Sequence, residues 1–266
     1  MKAVIPAAGC GSRLRPLTRT ISKEMILINN KPVIEYIIQE ASIAGIKEFI
    51  VVVNKNKKDL IHYLSKFAKS HPDFTLNLAY QEKPLGLGHA IYCAKEYIDS
   101  AFAVLLPDNV LSSSTSAPLT AMLKQYNATS KSIILIMPVA KNEIRNYGIV
   151  DVNFDGNLMQ IKRLVEKPEP QNSPSNLGIL GRYILTPEIF PILEKIEKGH
   201  GGEIQLTDAI DILARQQPVY AYKFKDAYHD CGNVQGLLVC MKNYKMDFKK
   251  IPRYYNFLRE LLKKVA

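Results

Sequence analysis

The feature that most constrains the fold is the start of the chain, where a short apolar run breaks into a glycine-rich loop. The run from Ala3 to Ile5 predicts a buried strand, and residues 6–13 read P-A-A-G-C-G-S-R. Small residues and two glycines let a backbone approach a ligand closely and point its N–H groups at negative charge. The sequence therefore predicts an anion-binding turn after a first strand, with Arg13 and Lys23 as additional cations.

Two common nucleotide-binding motifs do not fit this loop. The pattern G-x-x-x-x-G-K-[ST] is absent, and the fingerprint G-x-G-x-x-G fails because Leu14 occupies the third glycine position. A second apolar run, residues 49–53, ends in Asn54, so the acidic ribose-binding residue of a nicotinamide site is missing. A surface turn with solvated cations is the alternative interpretation for a lone G-x-G.

Apolar and helical patterns alternate along the first half of the chain. Residues 33–44 have apolar side chains at helical spacing, stop at Gly45, and precede an apolar strand over 48–53. Further segments follow, namely a helix over about 57–68 and strands near 76–80, 103–106 and 132–138. This order predicts a parallel sheet with right-handed crossovers. From residue 140 the strands are hairpin-like, with a turn at Asp155-Gly156.

The composition limits the class of protein. The chain has 266 residues, 47% of them hydrophobic and 23% charged, which is typical of a large globular domain. No apolar run approaches ~20 residues and no leader pattern is present, so we expect no membrane association and a cytoplasmic location. The four cysteines lack a C-x-x-C spacing, which predicts reduced thiols and no zinc site. The formal charge of +10 suits anionic partners, either nucleotides or nucleic acid.

Two aspartates lie at positions suited to a metal ion. Asp108 directly follows the strand near 103–106, and Asp230 begins the sequence D-C-G. Aspartate is a hard oxygen ligand suited to Mg²⁺, and the end of a strand in an open α/β sheet is a common ligand site. A turn-forming Asp-Asn pair is the alternative for Asp108. Asp226 and His229 are neighbouring alternatives to Asp230.

A glutamine marks a further strand end. Gln81 follows the predicted strand near 76–80, and Gly86 lies in the turn before the next helix. A glutamine amide can both donate to and accept from the edge of a pyrimidine, which aspartate or lysine cannot do. His89, in the first turn of that helix, is interpreted as a packing or capping residue.

Taken together, these motifs resemble those of the sugar-nucleotidyltransferases. The chain has G-C-G-S-R-L at 9–14, P-L-T at 16–18, S-K-E-M at 22–25 and K-P at 31–32, and matching motifs continue in the family's order to 230–232. The resemblance implies an α/β fold with a Rossmann-like mixed, mainly parallel sheet flanked by helices, plus a small β-rich sugar-binding part. It also implies Mg²⁺-dependent transfer of a nucleotidyl group to a sugar-1-phosphate.

The resemblance assigns roles to individual residues. Those implied to bind the nucleotide are Ala7, Ala8, Gly9, Gly11, Ser12, Arg13, Lys23, Gln81 and Gly86. Those implied to bind the sugar phosphate are Tyr147, Gly148, Glu166, Lys167 and Asn176. Those implied to be catalytic are Arg13, Lys23, Asp108 and Asp230, of which the two aspartates are implied to bind Mg²⁺.

Within the family, the motifs K-E-M, G-L-G-H-A, G-E-I-Q-L-T-D-A-I and D-C-G most resemble the bacterial branch that joins UTP to glucose-1-phosphate. Ser22 departs from that branch, which usually has proline there, and Asp108-Asn109 is similar to the thymidylyl-transferring branch. The nucleobase and the hexose therefore stay open. A non-catalytic binder of sugar nucleotides or nucleic acid is a further alternative, although no RNA-binding motif is present and we expect no nucleic-acid partner.

We expect a single nucleotidyltransferase domain over 1–266. It divides into a nucleotide-binding half, about 1–139, a sugar-phosphate half, about 140–232, and a basic helical tail, about 233–266. Thr207 and Asp208 are predicted to cap a helix that begins near them. A solvated face or a subunit contact is the interpretation of the tail, and we expect a homo-oligomer, either a dimer or a tetramer.

Overall fold

A computed structural model describes residues 1–112 and 118–244. Its helices are α1 Val33–Ile43, α2 Lys58–Ser70, α3 Leu87–Tyr92, α4 Pro118–Thr129, α5 Ile189–Lys195, α6 Leu206–Gln216 and α7 Val234–Asn243. Its strands are β1 Lys2–Pro6, β2 Leu27–Ile28, β3 Lys31–Pro32, β4 Glu48–Val53, β5 Thr75–Tyr80, β6 Phe102–Leu105, β7 Asn109–Ser112, β8 Ile133–Pro138, β9 Gly148–Asp155, β10 Leu158–Glu166, β11 Leu177–Leu185, β12 Tyr220–Lys223 and β13 Ala227–Asp230. The predicted helical tail begins with α7, and its part from residue 245 onward lies outside the described residues.

One mixed sheet of nine strands runs in the order β5-β4-β1-β6-β11-β8-β12-β10-β9. The neighbouring pairs among β5, β4, β1 and β6 are all parallel, as the alternation of strands and helices predicts. Strand β11, from the second half of the sequence, lies antiparallel between β6 and β8. The β9–β10 hairpin turns at Asp155-Gly156 and closes the far edge, as predicted. Strands from both halves of the chain therefore share one sheet.

Strand β1 is apolar from Ala3 onward, rather than alternating, because both faces of the sheet are covered at this strand. Val4 packs in a cluster on one face of the sheet, together with residues of α3, α5 and α6. Ala3 and Ile5 pack in a second cluster on the other face, together with residues of α1 and α2. A strand in a parallel sheet is covered on both faces, so the side chains from Ala3 to Pro6 are all buried. Such a strand is a rigid base for the loop that follows it.

The strand directions bring the candidate residues to one edge of the sheet. The glycine loop, Gln81 and Asp108 each follow the carboxyl end of a strand in the parallel half. Because β11 is antiparallel to β6 and β8, its amino end, next to Asn176, lies at that same edge. Open α/β sheets bind ligands outside the carboxyl ends of their strands.

Within the described ranges, every helix is too short or too polar to cross a lipid bilayer.

Candidate active site

The glycine loop is folded against the segment that carries Lys23. Its first amide, from Ala7, donates to the Val52 carbonyl at 2.7 Å and so extends the pairing of β1 with β4. Gly11 has a φ of +65°, and a Cβ there would lie 3.0 Å from Thr18 Cγ2 and 3.2 Å from Lys23 Cβ. The Thr18 hydroxyl donates to the Gly11 carbonyl at 2.7 Å. Glycine is required at position 11 for both its conformation and its close packing.

The other loop residues range from buried to exposed. Ala8 is buried, whereas Ser12 and Arg13 are exposed at the start of a short 3₁₀ turn. A Cβ built on Gly9 would meet no atom of the described residues within 4 Å. The loop backbone around Gly9 is therefore open to a ligand on that side.

Lys23 and Asp108 form a mostly buried ion pair. Lys23 Nζ lies 2.7 Å from Asp108 Oδ2, and the two side chains are 16% and 14% exposed. Burial by itself lowers the pKa of Lys23, but the attraction and hydrogen bond of Asp108, together with the attraction of Glu24, outweigh burial and raise that pKa above its usual value. Burial likewise acts to raise the pKa of Asp108, but Lys23 and then Arg13 hold it below the usual value. Both groups are therefore charged at neutral pH.

Asp230 reaches the same place from a strand far along the chain. Strand β13 pairs with β7, which sets Asp230 opposite Asn109, the residue after Asp108. A Cβ built on Gly232 would lie 2.9 Å from Asp108 Oδ2, 2.9 Å from Asp230 Oδ1 and 3.1 Å from Arg13 Nη2. The two carboxylates and the guanidinium thus surround one point, which a larger residue at position 232 would fill.

The Asp230 carboxylate is oriented by its own turn. Its Oδ1 accepts from the Gly232 amide at 2.8 Å, and its Oδ2 accepts from Asn233 Nδ2 at 2.7 Å. Asn233 in turn caps α7, because its Oδ1 accepts from the Gly236 amide at 2.8 Å. The start of α7 therefore fixes the direction of the second carboxylate.

A buried arginine holds the turn that carries Asp108. Arg182 of β11 is fully buried, and its Nε and Nη2 donate to the two carboxylate oxygens of Glu40 at 2.9 and 2.7 Å. Nη2 also donates to the Asn109 carbonyl at 2.6 Å, and Nη1 donates to the carbonyls of Leu106 at 3.2 Å and Gly181 at 3.0 Å. A guanidinium has five N–H donors, so all of them have an acceptor here. Two of these acceptors flank Asp108 in the sequence, and the arginine therefore fixes its backbone.

The donor set at Asp108 and Asp230 fits Mg²⁺. No cluster of three or more His, Cys, Asp or Glu side chains suited to a metal ion occurs in residues 1–112 and 118–244. Mg²⁺ is commonly held by one or two carboxylates, with phosphate oxygens of a substrate and water completing its octahedral shell. Two carboxylates beside an anion-binding loop match that arrangement.

Gln81 is buried at the end of β5, and its amide nitrogen is committed to the protein. Nε2 donates to the Gly86 carbonyl at 3.0 Å and lies 3.0 Å from His89 Nδ1. Burial lowers the pKa of His89 below its usual value, which favours the neutral ring. Gly86 has a φ of +106°, and a Cβ there would lie 2.7 Å from the Ile204 carbonyl. The glutamine, the turn and the histidine therefore form one fixed unit.

A cavity of about 460 Å³ lies beside the glycine loop. It is lined by Ala8, Cys10, Thr18, Arg19, Thr20, Ile21, Ser22, Lys23, Asn54, Asn56, Lys57, Asp59, Glu82 and Pro84. Two contacts join the Lys23 segment to the start of α2. Ser22 donates to Asp59 through its amide at 2.7 Å and through its hydroxyl at 2.6 Å, and Lys57 Nζ lies 2.7 Å from Glu24 Oε2. The amide contact explains the departure at Ser22, because a proline has no N–H to donate.

Glu166 is the last residue of β10, and Lys167 follows it directly. Glu166 Oε2 accepts from the Thr207 hydroxyl at 2.6 Å, and Glu166 Oε1 lies 2.9 Å from Lys167 Nζ. A Cβ built on Gly148 would lie 2.9 Å from Thr207 Oγ1 and 3.2 Å from Glu166 Oε2. The structure thus brings Gly148, Glu166 and Lys167 together, and Thr207 fixes one oxygen of the carboxylate.

Tyr147 and Asn176, the two remaining predicted sugar-phosphate residues, differ in burial, since Tyr147 is partly buried and Asn176 is exposed. The Tyr147 ring lies 6.3 Å from that of Tyr228, and burial raises the pKa of Tyr147 above its usual value. Asn176 is exposed just before β11, and its carbonyl accepts from the Val139 amide at 2.8 Å. Gly178, two residues further on, packs against Tyr147, since a Cβ there would lie 3.3 Å from Tyr147 Cβ. Residues 147 and 176–178 are thus neighbours.

The predicted cap role of Thr207 and Asp208 is wrong. Helix α6 begins at Leu206 after Gln205, which makes no side-chain cap, and Thr207 instead donates to Glu166. Arg182 and the Glu24–Lys57 pair are further supporting residues without a sequence prediction. The available signal is an arginine or glutamate inside an otherwise apolar segment, because such a group is rarely buried without a partner. The sequence does not say which partner that is.

Comparisons with known proteins agree with this class of site. The fold and the site define a class of α/β proteins in which a glycine-rich loop, two carboxylates and nearby cations meet at the edge of a mixed sheet. The sequence model of the nucleotidyl transferase family matches residues 2–246, and the chain belongs to that family. A relative from Bacillus subtilis (strain 168), UTP--glucose-1-phosphate uridylyltransferase, is 40% identical over 285 aligned positions that cover 99% of this chain and 97% of the relative.

Solved structures extend the likeness. A UDP-glucose pyrophosphorylase in complex with UDP-glucose is 36% identical, with a TM-score of 0.85 over 92% of this chain and 98% of that chain. A UTP-bound UGPase from Acinetobacter baumannii is 33% identical, with a TM-score of 0.81 over 100% of this chain and 99% of that chain. The predicted α/β fold with a mixed, mainly parallel sheet and the predicted family are confirmed.

Proposed function

We propose that this protein transfers a uridylyl group from UTP to glucose-1-phosphate, forming UDP-glucose and pyrophosphate. The observation that carries the proposal is the convergence of Asp108, Asp230 and Arg13 on one point next to the glycine loop. The likeness to full-length uridylyltransferases and to a structure holding UDP-glucose supports the choice of substrates.

The reaction is an in-line displacement at the α-phosphorus of UTP. An oxygen of the sugar phosphate forms a new bond to that phosphorus, while the bond to the oxygen bridging the α- and β-phosphates breaks. The electron pair leaves with pyrophosphate. A sugar phosphate is already ionised at neutral pH, so no protein nucleophile or general base is needed. Catalysis then consists of positioning and electrostatic stabilisation.

Arg13 and Lys23 stabilise the charge that develops on the leaving pyrophosphate. Lys23 is fixed by Asp108 and stays charged, because its pKa is raised. Asp108 and Asp230 would hold Mg²⁺. When bound, that ion neutralises phosphate charge and aligns the reacting groups. The rigid turns around both aspartates, fixed by Arg182 and by the start of α7, keep the two carboxylates at the same point.

The two substrates are recognised at opposite sides of this point. Gln81 presents its amide carbonyl for the uracil edge, since its nitrogen is used by Gly86 and His89. The N3–H of uracil is a donor, so it suits a fixed carbonyl acceptor. Glu166 accepts hydrogen bonds from sugar hydroxyls, and Lys167 holds the sugar phosphate. Tyr147, Gly148 and Asn176 are the further residues that would contact the sugar phosphate.

A test of this function is pyrophosphate release with Mg²⁺, crossing UTP, dTTP, CTP and ATP with the 1-phosphates of glucose, galactose and N-acetylglucosamine. We expect a clear preference for UTP with glucose-1-phosphate. A preference for dTTP would transfer the assignment to thymidylyl transfer, and no turnover with any pair by folded protein would refute it. The homo-oligomer and the cytoplasmic location stay predictions, which light scattering and cell fractionation address.

A further inference from the structure

Lys57 lines the cavity of about 460 Å³ beside the glycine loop, and its ammonium group has more N–H donors than acceptors among the described residues. Its side chain is only 11% exposed, and it lines the same cavity as Lys23 and the loop residues Ala8 and Cys10. An ammonium has three N–H donors. Among the described residues, Lys57 Nζ donates only to Glu24. Two donors of a mostly buried cation therefore lack an acceptor within residues 1–112 and 118–244.

The acidic residues of the cavity do not supply the missing acceptors. Asp59 accepts from the amide and the hydroxyl of Ser22. Glu82 pairs with Lys55 at 2.6 Å. Glu24 is fully buried, and its second oxygen, Oε1, has no hydrogen-bond partner within the described residues. The cavity wall thus contains a mostly buried ammonium group. One carboxylate oxygen accepts one of its N–H groups, and the other two N–H groups have no acceptor among the described residues.

We propose that Lys57 binds the outer phosphates of the nucleoside triphosphate and the pyrophosphate product. Phosphate oxygens are strong acceptors that suit a lysine ammonium acting as a point charge. The proposal rests on the proposed function and deepens it by naming the phosphate groups that Lys57 contacts. The sugar-nucleotide product keeps the α-phosphate of UTP but lacks the outer phosphates. Lys57 therefore contributes to the binding of UTP and pyrophosphate, and leaves the binding of UDP-glucose unchanged.

The experiment compares Lys57→Met with wild type by calorimetric titration with UTP, pyrophosphate and UDP-glucose. We expect Kd for UTP and pyrophosphate to rise about 10-fold to 100-fold, as for loss of a hydrogen bond to a charged group. Kd for UDP-glucose should stay within about twofold. The matched control is Lys58→Met, since Lys58 is the exposed neighbour and does not line the cavity; it should bind all three ligands as wild type does.

If the Lys57→Met protein does not fold, a second pair of variants replaces it. Glu24→Gln with Lys57→Met is then measured against Glu24→Gln alone, which removes the unpaired carboxylate from both proteins. Unchanged UTP affinity on loss of Lys57, or an equal loss for UDP-glucose, would overturn the proposal. Because binding is measured without turnover, a wild type that binds UTP and pyrophosphate but transfers nothing would refute only the proposed function. A wild type that binds neither would overturn both.

Discussion

Two neighbouring residues, Lys23 and Glu24, form ion pairs in two regions of the site, and these pairs differ in character. In the pair between Lys23 and Asp108, the pKa of Lys23 is raised and that of Asp108 is lowered, so each partner favours the charged form of the other. At the start of α2, burial raises the pKa of Glu24 and lowers that of Lys57, and attraction between the two does not compensate. The charged forms are favoured in the first pair, whereas burial disfavours the charged form of each member of the second.

The difference indicates what each region is built for. Asp108 has Lys23, Arg13 and the neighbouring Asn109 amide around it, so its charge is balanced from several directions. Glu24 has one cationic hydrogen-bond partner and an orphan oxygen among the described residues. A buried pair of this second kind does not stabilise a fold better than apolar residues of similar size. The proposed binding of phosphate by Lys57 gives a reason for the pair to lie beside the cavity at the glycine loop.

The largest effect we expect is on stability, from breaking the second pair at one end. Lys57→Met should lower the free energy of unfolding by about 3–5 kcal/mol, because it leaves Glu24 as an unpaired buried carboxylate. The double variant Glu24→Met with Lys57→Met should recover most of that loss. Urea unfolding followed by circular dichroism measures both. A single variant as stable as the wild type would mean that the pair does not cost what its burial implies.

The next effect concerns catalysis at the first pair. Asp108→Asn should lose at least about 10²-fold in kcat, as on removal of one transition-state stabiliser. The amide keeps the shape of the side chain but neither balances Lys23 nor holds a divalent ion. Steady-state rates at saturating substrates measure this loss, and Mn²⁺ binding followed by electron paramagnetic resonance should weaken in parallel.

A matched control for this experiment is Asp226→Asn. Asp226 is exposed and lies four residues before Asp230, outside the D-C-G turn. It should keep the wild-type rate and Mn²⁺ affinity. If Asp226→Asn lost activity while a folded Asp108→Asn retained it, the assignment of the metal-binding carboxylates would be wrong.

A smaller effect is expected at Glu166, the carboxylate that we propose to bind the sugar, whose two oxygens contact the Thr207 hydroxyl and the Lys167 ammonium. Thr207→Val removes the 2.6 Å hydrogen bond to Glu166, so Glu166 becomes less well oriented toward the sugar. A hydrogen bond to a charged group is worth about 1.5–3 kcal/mol, which predicts a rise of roughly 10-fold or more in KM for glucose-1-phosphate. KM for UTP should not change, and Thr207→Ser should restore the wild-type value. Equal changes in both KM values would indicate a general disturbance of α6.

How far the sequence predicts this site depends on the range of the interaction. The strand ends and the glycine loop follow from local patterns, so the sequence predicts Gln81 and Asp108 at strand ends and Lys23 beside an anion-binding turn, whereas the role of Glu166 rests on the resemblance to the family. The contacts between them are not local. The bonds from Arg182 to Glu40 and from Thr207 to Glu166 join residues 142 and 41 positions apart. The antiparallel insertion of β11 between β6 and β8 decides where Arg182 lies. A linear pattern identifies such a residue as unusual without identifying its partner.

The smallest effect we expect is a pH dependence that distinguishes the two ion pairs. Burial raises the pKa of Glu24, so the folded protein binds this proton more strongly than the unfolded chain does. The resulting stability is fully present below the unfolded pKa, about 4.5, and is lost as pH rises through the higher folded value. Glu24→Gln does not titrate, so its stability relative to wild type should rise between pH 4.5 and 7.5.

Asp108→Asn is the matched comparison for that measurement. The pKa of Asp108 is lowered in the folded protein, so its contribution is present above the unfolded value, about 3.8, and is lost only as pH falls through the lower folded value. The stability difference between Asp108→Asn and wild type should therefore stay constant from pH 4.5 to 7.5. Urea unfolding at several pH values gives both differences. A constant difference for Glu24→Gln as well would show that Glu24 is charged at no cost, and the contrast between the two pairs would fail.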